Sequence, residues 1–167
     1  MGIKKFKKHT DRMFYNLKTE KQLAEVEKDM NNQNSCYTYF NIVGDFDPDY
    51  VSELLTLKPE KVWRIGESRS NGTKYDFALW QIGRCDEYDV DVANQMRKTI
   101  SILLDKIEIL NKIYKENDVK FCLEVVPNIY VDEITPCLSP TLDIIDFCHA
   151  TRTEIDIDMY LYESEDR

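Results

Sequence analysis

At 167 residues the chain is long enough to bury a core without disulfides or metals, and with 43% hydrophobic and 32% charged residues it is not a disordered polypeptide. A net charge of -9 opposes nonspecific nucleic-acid binding, which needs clustered Lys and Arg. No apolar run approaches the roughly 20 residues that span a bilayer, and the basic start runs into His9, Thr10, Asp11 and Arg12 where a signal peptide turns apolar, so a cytoplasmic location is expected.

In chain order, residues 10 to 30 carry Phe14, Leu17, Leu23, Val26 and Met30 among many Lys and Glu, a weak helical period that ends in the polar cluster Asn31 to Ser35. Residues 1–35 therefore read as a basic helical head with a linker, and residues 36–167 as one α+β domain. Cys36 to Val43 is rich in aromatic and β-branched residues, which predicts a strand ended by Gly44. Asp47 and Pro48 are an N-cap and a first helical residue, opening a helix through Tyr50, Val51, Leu54 and Leu55 that stops before Pro59.

Val62, Trp63 and Ile65 lead into Gly66, and a polar loop from Glu67 to Gly72 precedes a predicted strand over Thr73 to Ile82 with both faces at least partly covered. The longest predicted element is one helix: Val92, Met96, Ile100, Leu103, Ile107, Leu110 and Tyr114 recur every three or four residues. Its stripe is too broad and too short for a coiled coil and suits a helix lying on a sheet. Val119 to Val126 predicts a strand closed by Pro127-Asn128. Leu138-Ser139-Pro140 predicts a short helix capped by Ser139, with Leu142, Ile145 and Cys148 or His149 facing inward.

The chain closes on Thr153 to Glu163, where Ile155, Ile157, Met159 and Leu161 alternate with Glu154, Asp156, Asp158, Tyr160 and Tyr162. Strict period two marks a half-buried strand. Asp and Glu are poor strand formers, so this strand needs solvent, a partner or a ligand to face. The predicted order is strand, helix, strand, strand, helix, strand, helix, strand. It implies a mainly antiparallel sheet of about five strands with helices packed on one face.

From Tyr37 onward the chain resembles the bacterial domain-of-unknown-function family 4279. The resemblance rests on Phe40-Asn-Ile-Val-Gly-Asp-Phe-Asp-Pro-Asp-Tyr-Val-Ser-Glu-Leu-Leu, Lys58-Pro59, Trp63-Arg64-Ile65-Gly66, Ala78-Leu79-Trp80, Leu138-Ser139-Pro140 and Asp156-Ile-Asp-Met-Tyr. It covers about residues 37 to 162 and implies a small α+β domain with no assigned catalytic residues.

Two candidate sites emerge from the residues. Glu154, Asp156 and Asp158 suit a hard cation by chemistry, but alternate strand residues lie nearly 7 Å apart, so they cannot all grip one ion directly without help from a neighbouring strand. A surface for a protein partner, a basic one in its sharpest form, is the expected role, with Tyr160 and Tyr162 supplying anchor area. The alternative is a small-molecule or enzymatic pocket formed by Trp63, Arg64, Arg69, Trp80 and the acidic strand, in which Arg would stack on aromatic rings and grip carboxylate or phosphate. Against it, Trp63 and Trp80 also suit a role in closing the core.

The five cysteines, Cys36, Cys85, Cys122, Cys137 and Cys148, are odd in number and lack a Cys-x-x-Cys pair, so neither a disulfide framework nor a zinc site is expected. Cys148 and His149 are adjacent on a predicted helix and cannot face each other as nucleophile and base. With no phosphate loop, serine elbow or paired-His motif, no cofactor and no catalytic residue is expected. The functional expectation is a noncatalytic cytoplasmic protein-binding domain, an immunity-type protein masking a basic toxin being its sharpest form.

Overall fold

The computed structural model describes residues 4–5, 33–131 and 133–163; the predicted head helix lies outside the described residues. Strand β1 (Lys4–Lys5) is followed by β2 (Ser35–Asp45), α1 (Pro48–Leu55), β3 (Lys61–Trp63), β4 (Ala78–Cys85), α2 (Val92–Ser101), α3 (Ile107–Glu116), β5 (Asp118–Tyr130), α4 (Leu142–Thr151), β6 (Thr153–Ile157) and β7 (Tyr160–Tyr162). The fold is α+β and mainly antiparallel. The sheet runs β3-β4-β2-β5-β7-β1, with β6 also on β5, alongside β7. Antiparallel β2 occupies the centre, paired over its whole length with β5 and with β4 on its other side. The last strand pair is parallel to β5, because α4 carries the chain back across the sheet between them.

Period two sorts the strands into two faces. Cys36, Phe40 and Ile42 of β2, Ala78, Trp80 and Ile82 of β4, and Phe121, Leu123 and Val125 of β5 meet the helices in one buried cluster with Val51, Met96, Ile100, Leu110 and Phe147. On the opposite face, Val43, Leu79, Trp63 and Phe77 form a second, smaller cluster. Polar bonds fix the helix layer in register. Thr99 of α2 shares a hydroxyl bond with Thr38 at 2.7 Å and donates to the Gly83 carbonyl at 2.8 Å, while Gln95 donates to the Cys36 carbonyl at 2.8 Å.

Helix α1 begins as expected: Asp47 accepts the Asp49 amide at 2.9 Å and Pro48 is the first helical residue. Four expectations need correction. The single long helix is two, because α2 ends at Ser101 with Ile102 as its C-cap and a 3-10 turn follows over Leu104–Lys106. Leu103 still reaches the core, so the apolar stripe continues across the break. Helix α4 has Thr141, in place of Ser139, at its N-cap position and buries Ile144, Phe147, Cys148 and Thr151; Leu142 and Ile145 face outward. The strand expected from Thr73 starts at Ala78 and extends to Cys85, with a bulge opposite Tyr39 built on Gly83 at φ 72°.

The fourth correction concerns β5, which continues through Pro127 to Tyr130. Asp158 donates to the Val125 carbonyl at 2.9 Å and Val131 donates to the Tyr162 carbonyl at 3.1 Å. That alternation directs the nitrogen of residue 127 toward Asp158, where proline has no hydrogen to give. The outer strand is interrupted at that level, between β6 and β7.

Candidate functional site

One offset of 32 residues relates β5 to both β6 and β7, from Phe121↔Thr153 to Tyr130↔Tyr162. The interruption therefore costs no change of register. Glu154 lies opposite Cys122, Asp156 opposite Glu124, Tyr160 opposite Asn128 and Tyr162 opposite Tyr130, and the same offset sets Asp158 opposite Val126. All five residues of the predicted partner surface share the face turned away from the helices.

Their surroundings differ along the strand. Tyr160 donates its hydroxyl to Asp158 at 3.1 Å. Tyr162 donates to the Asn128 side chain at 3.2 Å and stacks on Tyr130 with ring centroids 5.2 Å apart. The tyrosines are thus held as fixed, half-buried plates, whereas Glu154 is exposed and Asp156 half-buried. Beneath the carboxylates Cys122 is buried, and burial first, then the Glu124, Asp156 and Glu154 charges, drive its thiol well above the usual range. Burial and the Glu124 charge act in the same direction on Tyr39. Glu124 itself is only 6% exposed.

Residues such as Glu124, Asn128 and Tyr130 were missed from the sequence. The signal was the same alternation that exposed the acidic strand, since Lys120, Cys122 and Glu124 share one side of β5. The apolar run around Cys122 obscured it.

The residues of the alternative pocket are dispersed. Trp63 lies opposite Leu79 and Trp80 opposite Val62, which puts the two indoles on opposite faces of the sheet. Trp80 is fully buried and donates its indole hydrogen to Ser52 at 2.9 Å. Trp63 stacks on Tyr75 at 4.5 Å. Arg69 sits 4.7 Å from the same Tyr75 ring and pairs with Asp76 at 3.2 Å. Arg64 reaches Asp49 of α1 at 2.6 Å. Four strand spacings of about 4.8 Å separate β3 from β6, so roughly 19 Å of sheet divides Trp63 from the acidic strand. Among the described residues, no group of three or more His, Cys, Asp or Glu side chains could hold a metal ion, and no helix is long and apolar enough to cross a membrane. His149 is exposed and Cys148 buried, which keeps them apart.

The five cysteines are free thiols, of which Cys137 alone is exposed. Burial pushes Cys36 up to about 12 and Cys148 up to about 11, leaving almost no thiolate near neutrality. One equivalent of a thiol reagent should therefore react quickly at pH 8, and Cys137→Ser should abolish that phase. Rapid labelling of two or more thiols would contradict the burial.

An open α+β sheet with helices on one face and an acidic, tyrosine-bearing outer strand on the other defines the class of domain. The chain belongs to the domain-of-unknown-function family DUF4279, which it matches over residues 34–162. No curated protein and no solved structure matches it.

Proposed function

We propose that the protein is a noncatalytic binding domain whose acidic outer strand engages a basic protein, an immunity-type role in which it masks a basic toxin being the sharpest form. The observation that carries the reading is the unbroken register that gathers Glu154, Asp156, Asp158, Tyr160 and Tyr162 on the face without helices. Carboxylates there steer a positively charged partner and raise its association rate, while pre-positioned tyrosines bury contact area at little cost in side-chain entropy. A cytoplasmic setting agrees with five free thiols. Nothing favours the pocket reading comparably, because its two tryptophans stand on opposite faces.

The test is affinity purification of the tagged full chain from its native host at low salt, in parallel with an Asp156→Lys/Asp158→Lys variant. A basic protein retained by the first and lost with the second is the expected result. Recovery of the unaltered chain alone would overturn the reading.

A further inference from the structure

The outer strand has a second property, carried by its backbone. In the parallel ladder with β5, Asp158 and Tyr162 turn their amide and carbonyl groups inward, and so do the other even-numbered residues. The groups of Ile155 and Ile157 then point out of the sheet. At the level of β7 the outward position is Leu161, and there β1 has already added itself as an antiparallel strand, Lys4 opposite Leu161 and Lys5 opposite Tyr160. Among the described residues β6 pairs with β5 alone, so this edge is filled by a Lys-Lys strand at one end and stands open at the other.

We infer that the open edge of β6 accepts an extended segment of a protein partner as a further antiparallel strand, one in which basic and apolar residues alternate. This deepens the proposed function and rests on it. Side chains of an added strand opposite Glu154 and Asp156 fall on the carboxylate face, where Lys or Arg is complementary. Those opposite Ile155 and Ile157 fall on the other face, beside an open groove of about 1070 Å³ lined in part by Ile145, Cys148, His149, Thr153 and Ile155. Ile157 and Ile145 are 40% and 44% exposed, so apolar side chains there remove hydrocarbon from water. Main-chain bonds supply the attachment and the alternate side chains the selectivity.

Charge excludes the simplest competitor. A second copy pairing through β6 would set carboxylates against carboxylates, which is destabilising for residues directly opposite. Carboxylates on a free edge repel indiscriminate pairing and so select for a strand of opposite charge.

The test uses the full chain and a fluorescent heptapeptide, Lys-Val-Lys-Val-Lys-Val-Lys, followed by anisotropy. Saturable binding is expected, weakened about tenfold or more by Glu154→Lys/Asp156→Lys and by moderate salt, and abolished when alternate peptide amides are N-methylated. Ile155→Pro removes one outward donor and should act like the methylated peptide, which covers the case of a charge variant that folds poorly. Equal affinity for the methylated peptide would overturn the edge inference while leaving the binding function intact, since the peptide would then lie on the acidic face. No binding of any peptide would also overturn it, and the affinity purification above separately tests the broader function. Binding that appears only after Lys7→Glu/Lys8→Glu would assign the edge to this chain's own head, again overturning the inference.

Discussion

Trp80→Ala is expected to cost about 3–5 kcal/mol of folding stability, the range for deleting a large buried aromatic. Trp80 has no solvent exposure and lies between Ile42 of β2 and Val62 of β3 in the sheet register. The substitution leaves a cavity where the sheet meets α1, and the tight packing of protein interiors lets such a cavity close only in part. It also removes the donor to Ser52, whose hydroxyl donates onward to the Pro48 carbonyl at 2.8 Å. A domain of ordinary stability, about 5–15 kcal/mol, would lose a large share of it. Urea unfolding of the variant beside Leu104→Ala, a site 52% exposed, gives the contrast. A loss below about 1 kcal/mol at Trp80 would contradict its place in the core.

The second large effect belongs to a residue without a side chain. Gly44 holds φ 152° opposite Val119 of β5, and a Cβ there would lie 2.0 Å from the Asp118 carbonyl oxygen and 2.8 Å from the Val119 Cα. Both obstacles are backbone, so no rotamer change relieves them. Gly44→Ala must open the β2–β5 ladder at Val119, in addition to strain of about 1–3 kcal/mol for a backbone conformation that L-residues rarely adopt. The expected cost is about 4 kcal/mol or more, among the most severe single substitutions. Gly72→Ala is the control: φ is 81° but nothing lies within 4 Å of the added carbon, so only the conformational cost of about 1–2 kcal/mol remains. Similar melting shifts for the two variants would show that the close approach is not the cause.

Much of this frame was legible because two-residue alternation depends on little beyond which face is wet. The segments Cys36 to Val43 and Glu154 to Tyr162 announce their faces in composition, and Asp47-Pro48 announces a helix start by capping chemistry alone. The break between α2 and α3 was hidden, since Ile100, Leu103, Ile107 and Leu110 keep the helical interval while the backbone between them does not. Neither Gly nor Pro marks it, so packing on the sheet decides the turn. The inner face of α4 was misread because leucine and isoleucine occur all round it, and burial chose Ile144 and Phe147 over Leu142 and Ile145. At the candidate site the acidic strand was legible, whereas the support from Glu124, Asn128 and Tyr130 depends on a register that only the fold supplies. The separation of Trp63 from Trp80 follows from pairing β3 with β4, which no local pattern encodes.

Pro127 gives the outer strand a mechanical character that its sequence alternation conceals. By withholding one rung of the ladder at Asp158, it divides the span from Thr153 to Tyr162 into two short lengths that share a direction and a register but not a continuous chain of hydrogen bonds. A missing rung weakens the coupling between the two lengths, so their amide hydrogens are expected to exchange independently. The lower length holds exposed Glu154 and half-buried Asp156, and the upper holds the two tyrosines, of which Tyr162 is braced by Asn128 and Tyr130. The proline therefore marks the boundary between a length that carries charge along its face and a length braced by amide and aromatic side chains.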